Sequence, residues 1–290
     1  EEAFMQPLRK VISKLKLRAS YGQVGNANLG GRRFAYLSTI TDDYDTLNMY
    51  KWGLDSSYGL TGMAEGEFAV QDLTWEIVNK MNLGVELGFL NGMIDLQLDY
   101  FDERRKDIFM PRESVPMTAG FMKQPWKNFG KVTNQGVEVS LNVNKQFGKD
   151  LFVSLMGTFT YAHNEITEKD EPSAVVGTNR AETGHPVGQL TGYIAEGLFT
   201  EDDFEDVSTG KLKEGIPTQS FVSKLRPGDI RYRDVNGDGK VDVFDKSPIG
   251  GTKDPEIVYG FGLNMKYKNL DFGALFQGIG RSWNILGSSI

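Results

Sequence analysis

From Met81 to Phe101 the chain reads MNLGVELGFLNGMIDLQLDYF, and this stretch decides the fold. Met81, Leu83, Val85, Leu87 and Phe89 alternate with Asn82, Gly84, Glu86 and Gly88, the period of two expected of a strand with one oily side. Asn91-Gly92 follows, and both residues accept the positive φ that a type I′ turn demands. Centred on that dipeptide, a hairpin pairs Phe89 with Ile94, Leu87 with Leu96, Val85 with Leu98 and Leu83 with Tyr100. Gly88, Glu86 and Gly84 then meet Asp95, Gln97 and Asp99, so one face is wholly apolar and the other polar or glycine.

The same construction recurs on both sides. Upstream, Leu15, Leu17, Ala19 and Tyr21 alternate with Lys14, Lys16, Arg18 and Ser20, after a weakly helical Glu1 to Ile12. Downstream, Val137, Val139, Leu141 and Val143 alternate with Glu138, Ser140, Asn142 and Asn144, turn at Gly148-Lys149-Asp150, and return through Val153, Leu155, Gly157, Phe159 and Tyr161. A third hairpin runs from Tyr259 through Phe261, Leu263, Met265 and Tyr267, turns at Lys268-Asn269, and returns through Leu270, Phe272, Ala274 and Phe276.

Connections at one end are two or three residues long, whereas Met110 to Lys131 and His163 to Pro255 are long, an asymmetry typical of outer-membrane barrels. Segments of this length exceed the usual strand of about 5 to 6 residues and match the roughly 9 to 11 that a tilted membrane strand needs. Trp75, Tyr100, Phe101, Tyr161, Tyr259 and Tyr267 sit toward strand ends, where an interfacial girdle would place them. The expectation is an all-β transmembrane antiparallel β-barrel. The alternative is a secreted, calcium-stabilised β-sandwich for binding or adhesion, whose strands also alternate.

Composition is consistent with either. The 290 residues include 34 Gly and 10 Pro, too many backbone punctuators for a helix bundle. A net charge of −7 and a pI near 5.1 remove the basic footprint that nucleic-acid binding needs. No apolar run of about 18 residues exists, which excludes a spanning helix and leaves a barrel open. Without cysteine, disulfides and thiol chemistry are excluded. The opening Glu1-Glu2 lacks the pattern of a secretory leader, and a piece of a longer polypeptide is expected.

The sharpest local motif is Asp234 to Asp245, DVNGDGKVDVFD. Asp234, Asn236, Asp238, Asp242 and Asp245 stand at positions 1, 3, 5, 9 and 12 of a calcium loop, with Gly239 at the sharp bend and Lys240 where a backbone carbonyl serves. Asp245 replaces the customary Glu and no helix pair flanks the loop, so weak, structural calcium binding is expected. Catalysis has no comparable signal. His163 and His185 are the sole histidines and no nucleophile elbow accompanies them. Asp42-Asp43 and Asp202-Asp203 are acidic loop pairs, and Gly278-Ile279-Gly280 lacks the helix of a dinucleotide site. Trp126 and Trp283 suit either sugar stacking or interfacial anchoring. An enzyme is not expected.

Five runs together resemble the SusC/RagA family of TonB-linked outer-membrane proteins: LKLRASYGQVGN from Leu15, TWEIVNKMNLGVELGFLNGMIDLQLDYF from Thr74, FGKVTNQGVEVSLN from Phe129, GHPVGQLTGYIAEGLFT from Gly184 and PGDIRYRDVNGDGKVD from Pro227. They occur in family order and are followed by PIGGTKDPEIVYGFGLNMKYKNLDFGALFQG. The resemblance implies a 22-stranded barrel in the outer membrane of Bacteroidota-type bacteria, with an N-terminal plug. It implies import of oligosaccharides or peptides, energised by TonB, under a SusD-like lipoprotein lid. The chain would supply about 8 to 10 strands of the C-terminal half, without the plug or the closing strands. Residues 163–255 would form an extracellular excursion carrying the calcium loop, in which Pro186 to Thr200 is a hairpin or pairs with one further span. Glu86, Gln97, Asp99, Glu138 and Asn142 would line a hydrated lumen.

Overall fold

A computed structural model describes residues 11–41, 50–54, 58–60, 63–121 and 123–287. Seven strands form one antiparallel sheet in chain order: β1 (Ile12–Asn26), β2 (Glu76–Phe89), β3 (Ile94–Pro111), β4 (Trp126–Phe147), β5 (Leu151–Glu168), β6 (Ile257–Tyr267) and β7 (Leu270–Gly280). Ile12 opens β1, so the helical pattern does not extend to it, and Glu1 to Lys10 lie outside the described residues. Asp42-Asp43 lie outside them too.

All three hairpins take the expected register. Phe89 pairs with Ile94 and Leu83 with Tyr100, Val143 with Leu155, and Tyr267 with Leu270. Asn91 and Gly92 have φ of 58° and 83°, and the Met93 amide donates to Leu90 O at 3.3 Å, which closes the turn as type I′ geometry requires.

The strands run farther than their alternation. β3 continues to Pro111, β4 begins at Trp126 and β5 reaches Glu168, so the long connections shrink to residues 112–125 and 169–256, and His163 belongs to a strand. Above the apolar band charged residues occupy both faces, Arg104 to Lys106 are exposed, and the period-two signal fades while the backbone ladder continues. Seven long strands, rather than about eight to ten, are present among the described residues. The sheet does not close on itself among those residues.

One face carries the oily residues. Tyr21, Leu83, Leu98, Leu155, Phe261 and Phe276 are exposed, Leu83 by 47% and Leu98 by 39%, and no second layer covers them among the described residues. A sandwich would bury this face, since leaving each such side chain in water forfeits about 1.5–3 kcal/mol. From Leu151 to Tyr161 the band covers eleven positions on β5, which at about 3.3 Å per residue and a tilt near 45° is roughly 25 Å, the height of an outer-membrane apolar belt. Tyr100, Tyr161, Tyr259 and Tyr267 share this outward face. Phe101 does not: it pairs with Gly136 on the opposite face, and its ring occupies the space a Gly136 side chain would need. It is therefore not a girdle residue, because the strand period turns neighbours to opposite sides.

Candidate functional site

The inward face is built from charge. Across β1, β2 and β3, Arg18 pairs with Gly84 and Gly84 with Asp99. With no side chain at Gly84, the Arg18 guanidinium spans the middle strand, and its Nη2 donates to both Asp99 oxygens at 2.8 Å. Gln97 Nε2 donates to Asp99 at 2.9 Å, and the Asp99 side chain is only 7% exposed. One row away, Lys14 and Lys16 meet the two oxygens of Glu86 at 2.7 and 3.2 Å. Glu138 lies beside Asp99 and Asn142 beside Asp95, so the expected lumen residues share this face. Arg18 is the member that hairpin reasoning missed, because residues 27–75 separate β1 from β2 and leave no turn from which to count register.

Above the ladder the inward face opens into a cavity of about 640 Å³ under the excursion, bounded by Val78, Glu103, Lys131, Ile166, Glu182 and Glu256. The excursion, residues 169–256, folds on itself through short pairings. Thr191–Gly192 pairs with Ser247–Pro248, and Ala195–Leu198 with Ile230–Tyr232, so Pro186 to Thr200 pairs inside the excursion. Phe199, Phe204 and Leu225 form its core against Leu212, Ile216 and Val222. Tyr193 stacks on Phe221 at 4.8 Å, and Tyr232 packs against both.

Two acidic groups anchor this assembly. Asp170, 7% exposed, accepts from the Ser114 amide and hydroxyl and pairs with Arg112 at 3.0 Å. Burial pushes its pKa up, but the Ser114 amide and Arg112 prevail and hold it below the ordinary carboxylate value. Asp203 caps the turn at Thr200, whose amide and hydroxyl lower its pKa.

Asp234 to Asp245 is a chain of side-chain-to-amide bonds. Asp234 accepts from the Gly237 and Gly239 amides at 2.7 Å, Asn236 from Asp238 at 2.9 Å, and Asp238 from Lys240 at 2.9 Å. Gly239 has a φ of 84° at the bend. Asp242 accepts from the Phe244 amide and from Lys240 Nζ, which lower its pKa in that order. Asp245 is fully buried and clamps the loop, accepting from Val235 at 2.8 Å and Asp242 at 2.7 Å. Among the described residues no three acidic or histidine side chains converge on a common point where an ion could sit.

The remaining candidates have structural partners. His163 Nδ1 meets Glu256 Oε1 at 2.5 Å. The Arg32 guanidinium lies 4.2 Å over Trp126, which also packs on Phe109. Trp283 lies against Gly250 and Gly251, where added side chains would overlap its ring.

An apolar outward face, a charged inward face and long loops at one end describe a segment of barrel wall. The family model described as "TonB dependent receptor-like, beta-barrel" matches residues 8–275. The chain belongs to this TonB-dependent receptor-like β-barrel family. TonB-dependent receptor P26 of Formosa agariphila is 29% identical over 287 residues, covering 96% of this chain and 26% of the relative. TonB-dependent receptor SusC of Bacteroides thetaiotaomicron is 29% identical over 279 residues, covering 94% and 25%. The solved structure of the RagAB peptide transporter superposes with a TM-score of 0.64 at 23% identity, covering 97% of this chain and 28% of that one, a likeness of fold. The chain spans about a quarter of the length of the curated relatives it matches. TonB-dependent receptor barrels are outer-membrane proteins, and the family is one of receptors and transporters rather than enzymes.

Proposed function

We propose that this chain forms part of the wall of a SusC/RagA-type importer. The receptor would admit oligosaccharides or peptides through its hydrated interior, under a SusD-like lipoprotein lid and with energy from TonB. The observation that carries this is the inward face, where Arg18, Glu86 and Asp99 form a continuous ion-pair ladder opposite an uncovered apolar face. Only a sheet with lipid on one side and water on the other satisfies both. The outer edges of β1 and β7 pair with further strands of the receptor, because hydrocarbon tolerates no unpaired strand edge. The excursion and the cavity beneath it lie at the extracellular end of the lumen, where lid and cargo meet.

The spacing of Asp234, Asn236, Asp238, Lys240, Asp242 and Asp245 is what supports calcium as a brace of the excursion, and binding would require the loop to draw together carboxylates that do not converge in this fold. The oxygens that accept a single amide retain a second lone pair for an ion. Uptake tests the main proposal. Deletion of the receptor from its host should abolish energy-dependent uptake of labelled oligosaccharides or peptides, re-expression should restore it, and mild-detergent purification should bring down a surface lipoprotein. Uptake of both cargo classes unchanged by deletion would overturn it.

A further inference from the structure

On the outward face Gly157 of β5 stands between Leu141 of β4 and Phe261 of β6. A glycine inside a strand weakens it and often marks close approach of a backbone or ligand. Here a side chain built on Gly157 would meet nothing within 4 Å. Phe261 does not cover it either, because its ring stacks on Phe276 of β7 with centroids 4.9 Å apart. The notch opens into a groove of about 670 Å³ walled by Leu155, Phe272 and Ala274, a size within the roughly 300–1,000 Å³ of small-molecule sites.

Four residues toward the short-turn end, Lys145 pairs with Val153 on the same outward face. Lys145 Nζ lies 5.5 Å from the Phe147 ring, and Lys268 Nζ lies 5.4 Å from the Tyr267 ring. Phe147 and Tyr267 both pair with Leu151, so the two rings stand two strand spacings, about 10 Å, apart. Neither lysine has an acidic partner among the described residues, whereas Lys266 pairs with Asp271 on the other face. With short turns on the periplasmic side, these ammonium groups sit at the level of lipid phosphates. From the Leu151 row that the two rings share, Gly157 lies six residues, about 20 Å along the tilted strands or roughly 14 Å deeper, inside the acyl region of that leaflet.

We infer that β4 to β7 bind an anionic glycerophospholipid of the periplasmic leaflet, with an acyl chain in the notch at Gly157 and the phosphate between Lys145 and Lys268. The inference depends on the membrane orientation of the sheet and not on the cargo.

The test uses the complete receptor in nanodiscs containing equal phosphatidylglycerol and phosphatidylethanolamine of matched chains, with retained lipid read by native mass spectrometry. Wild type should retain phosphatidylglycerol several-fold over phosphatidylethanolamine. Gly157→Leu should lose both lipids without a lower melting temperature, since Leu fills open space and suits a strand better. Gly157→Val serves where the Leu variant fails to assemble. The double variant Lys145→Gln/Lys268→Gln should keep bound lipid but lose the headgroup preference. Equal retention of the two lipids by wild type, undiminished retention by the Gly157 variants, or displacement by lipid A instead of phosphatidylglycerol would each overturn the inference.

Discussion

Replacing Gly84 with alanine tests the charged wall at its tightest point. A Cβ there would overlap Asp99 Oδ1 and stand 3.0 to 3.1 Å from the Arg18 guanidinium, so the side-chain ends that form the bridge across β2 must shift. Asp99 is nearly buried and accepts two hydrogen bonds from Arg18 and one from Gln97. Breaking a buried pair costs about 3–5 kcal/mol. Arg18 is 35% exposed and both side-chain ends can give way, so only part of this is lost and the expected cost is about 1–2 kcal/mol. The assay is denaturant unfolding of the receptor in micelles, followed by heat-modifiable gel mobility. Gly157→Ala is the internal control, because it makes the same chemical change in a strand interior where nothing lies within 4 Å. It should be neutral or stabilising by up to about 1 kcal/mol. In an Asp99→Ala background the Gly84→Ala penalty should fall by at least about 1 kcal/mol. Equal effects of the two glycine replacements, or no coupling to Asp99, would refute the bridge.

Leu98→Arg on the outward face should cost about 2–4 kcal/mol or block assembly, while Glu138→Arg on the inward face should assemble normally; assembly yields decide, and equal tolerance would remove lipid from the outward side. Asp245→Ala leaves the half-buried amides of Val235 and Asp242 without their acceptor, at about 1 kcal/mol each, and should speed tryptic cleavage after Lys240. Calcium should slow that same cleavage in metal-free receptor, and identical rates with calcium and chelator would leave the loop a metal-free turn. The depressed pKa of Asp170 means its link to Ser114 and Arg112 is fully present above the ordinary carboxylate pKa of about 3.9 and fails as pH drops through the lower folded value. The protection factor of the Ser114 amide, its exchange rate relative to the intrinsic rate at the same pH, should therefore fall only in acid, and Asp170→Asn should flatten that profile.

Strand identity, hairpin register and the two-faced sheet were legible in the sequence. Alternation assigns each side chain to a face, and Asn91-Gly92, Gly148 and Lys268 fix the turns locally. Those signals are short-range, so they ended where both faces met water and the strands outran them. The position of Phe101 also follows from alternation once register is carried through Tyr100. Arg18 and Asp99 could not be joined from the sequence, since a long excursion separates their strands and only the assembled sheet brings them across Gly84. Likewise, the spacing of Asp234 to Asp245 identifies oxygen donors, but only the fold shows Asp245 buried as an amide clamp. A strand's own chemistry dictates which way its side chains point, whereas partners distant along the chain are chosen by the closing of the sheet.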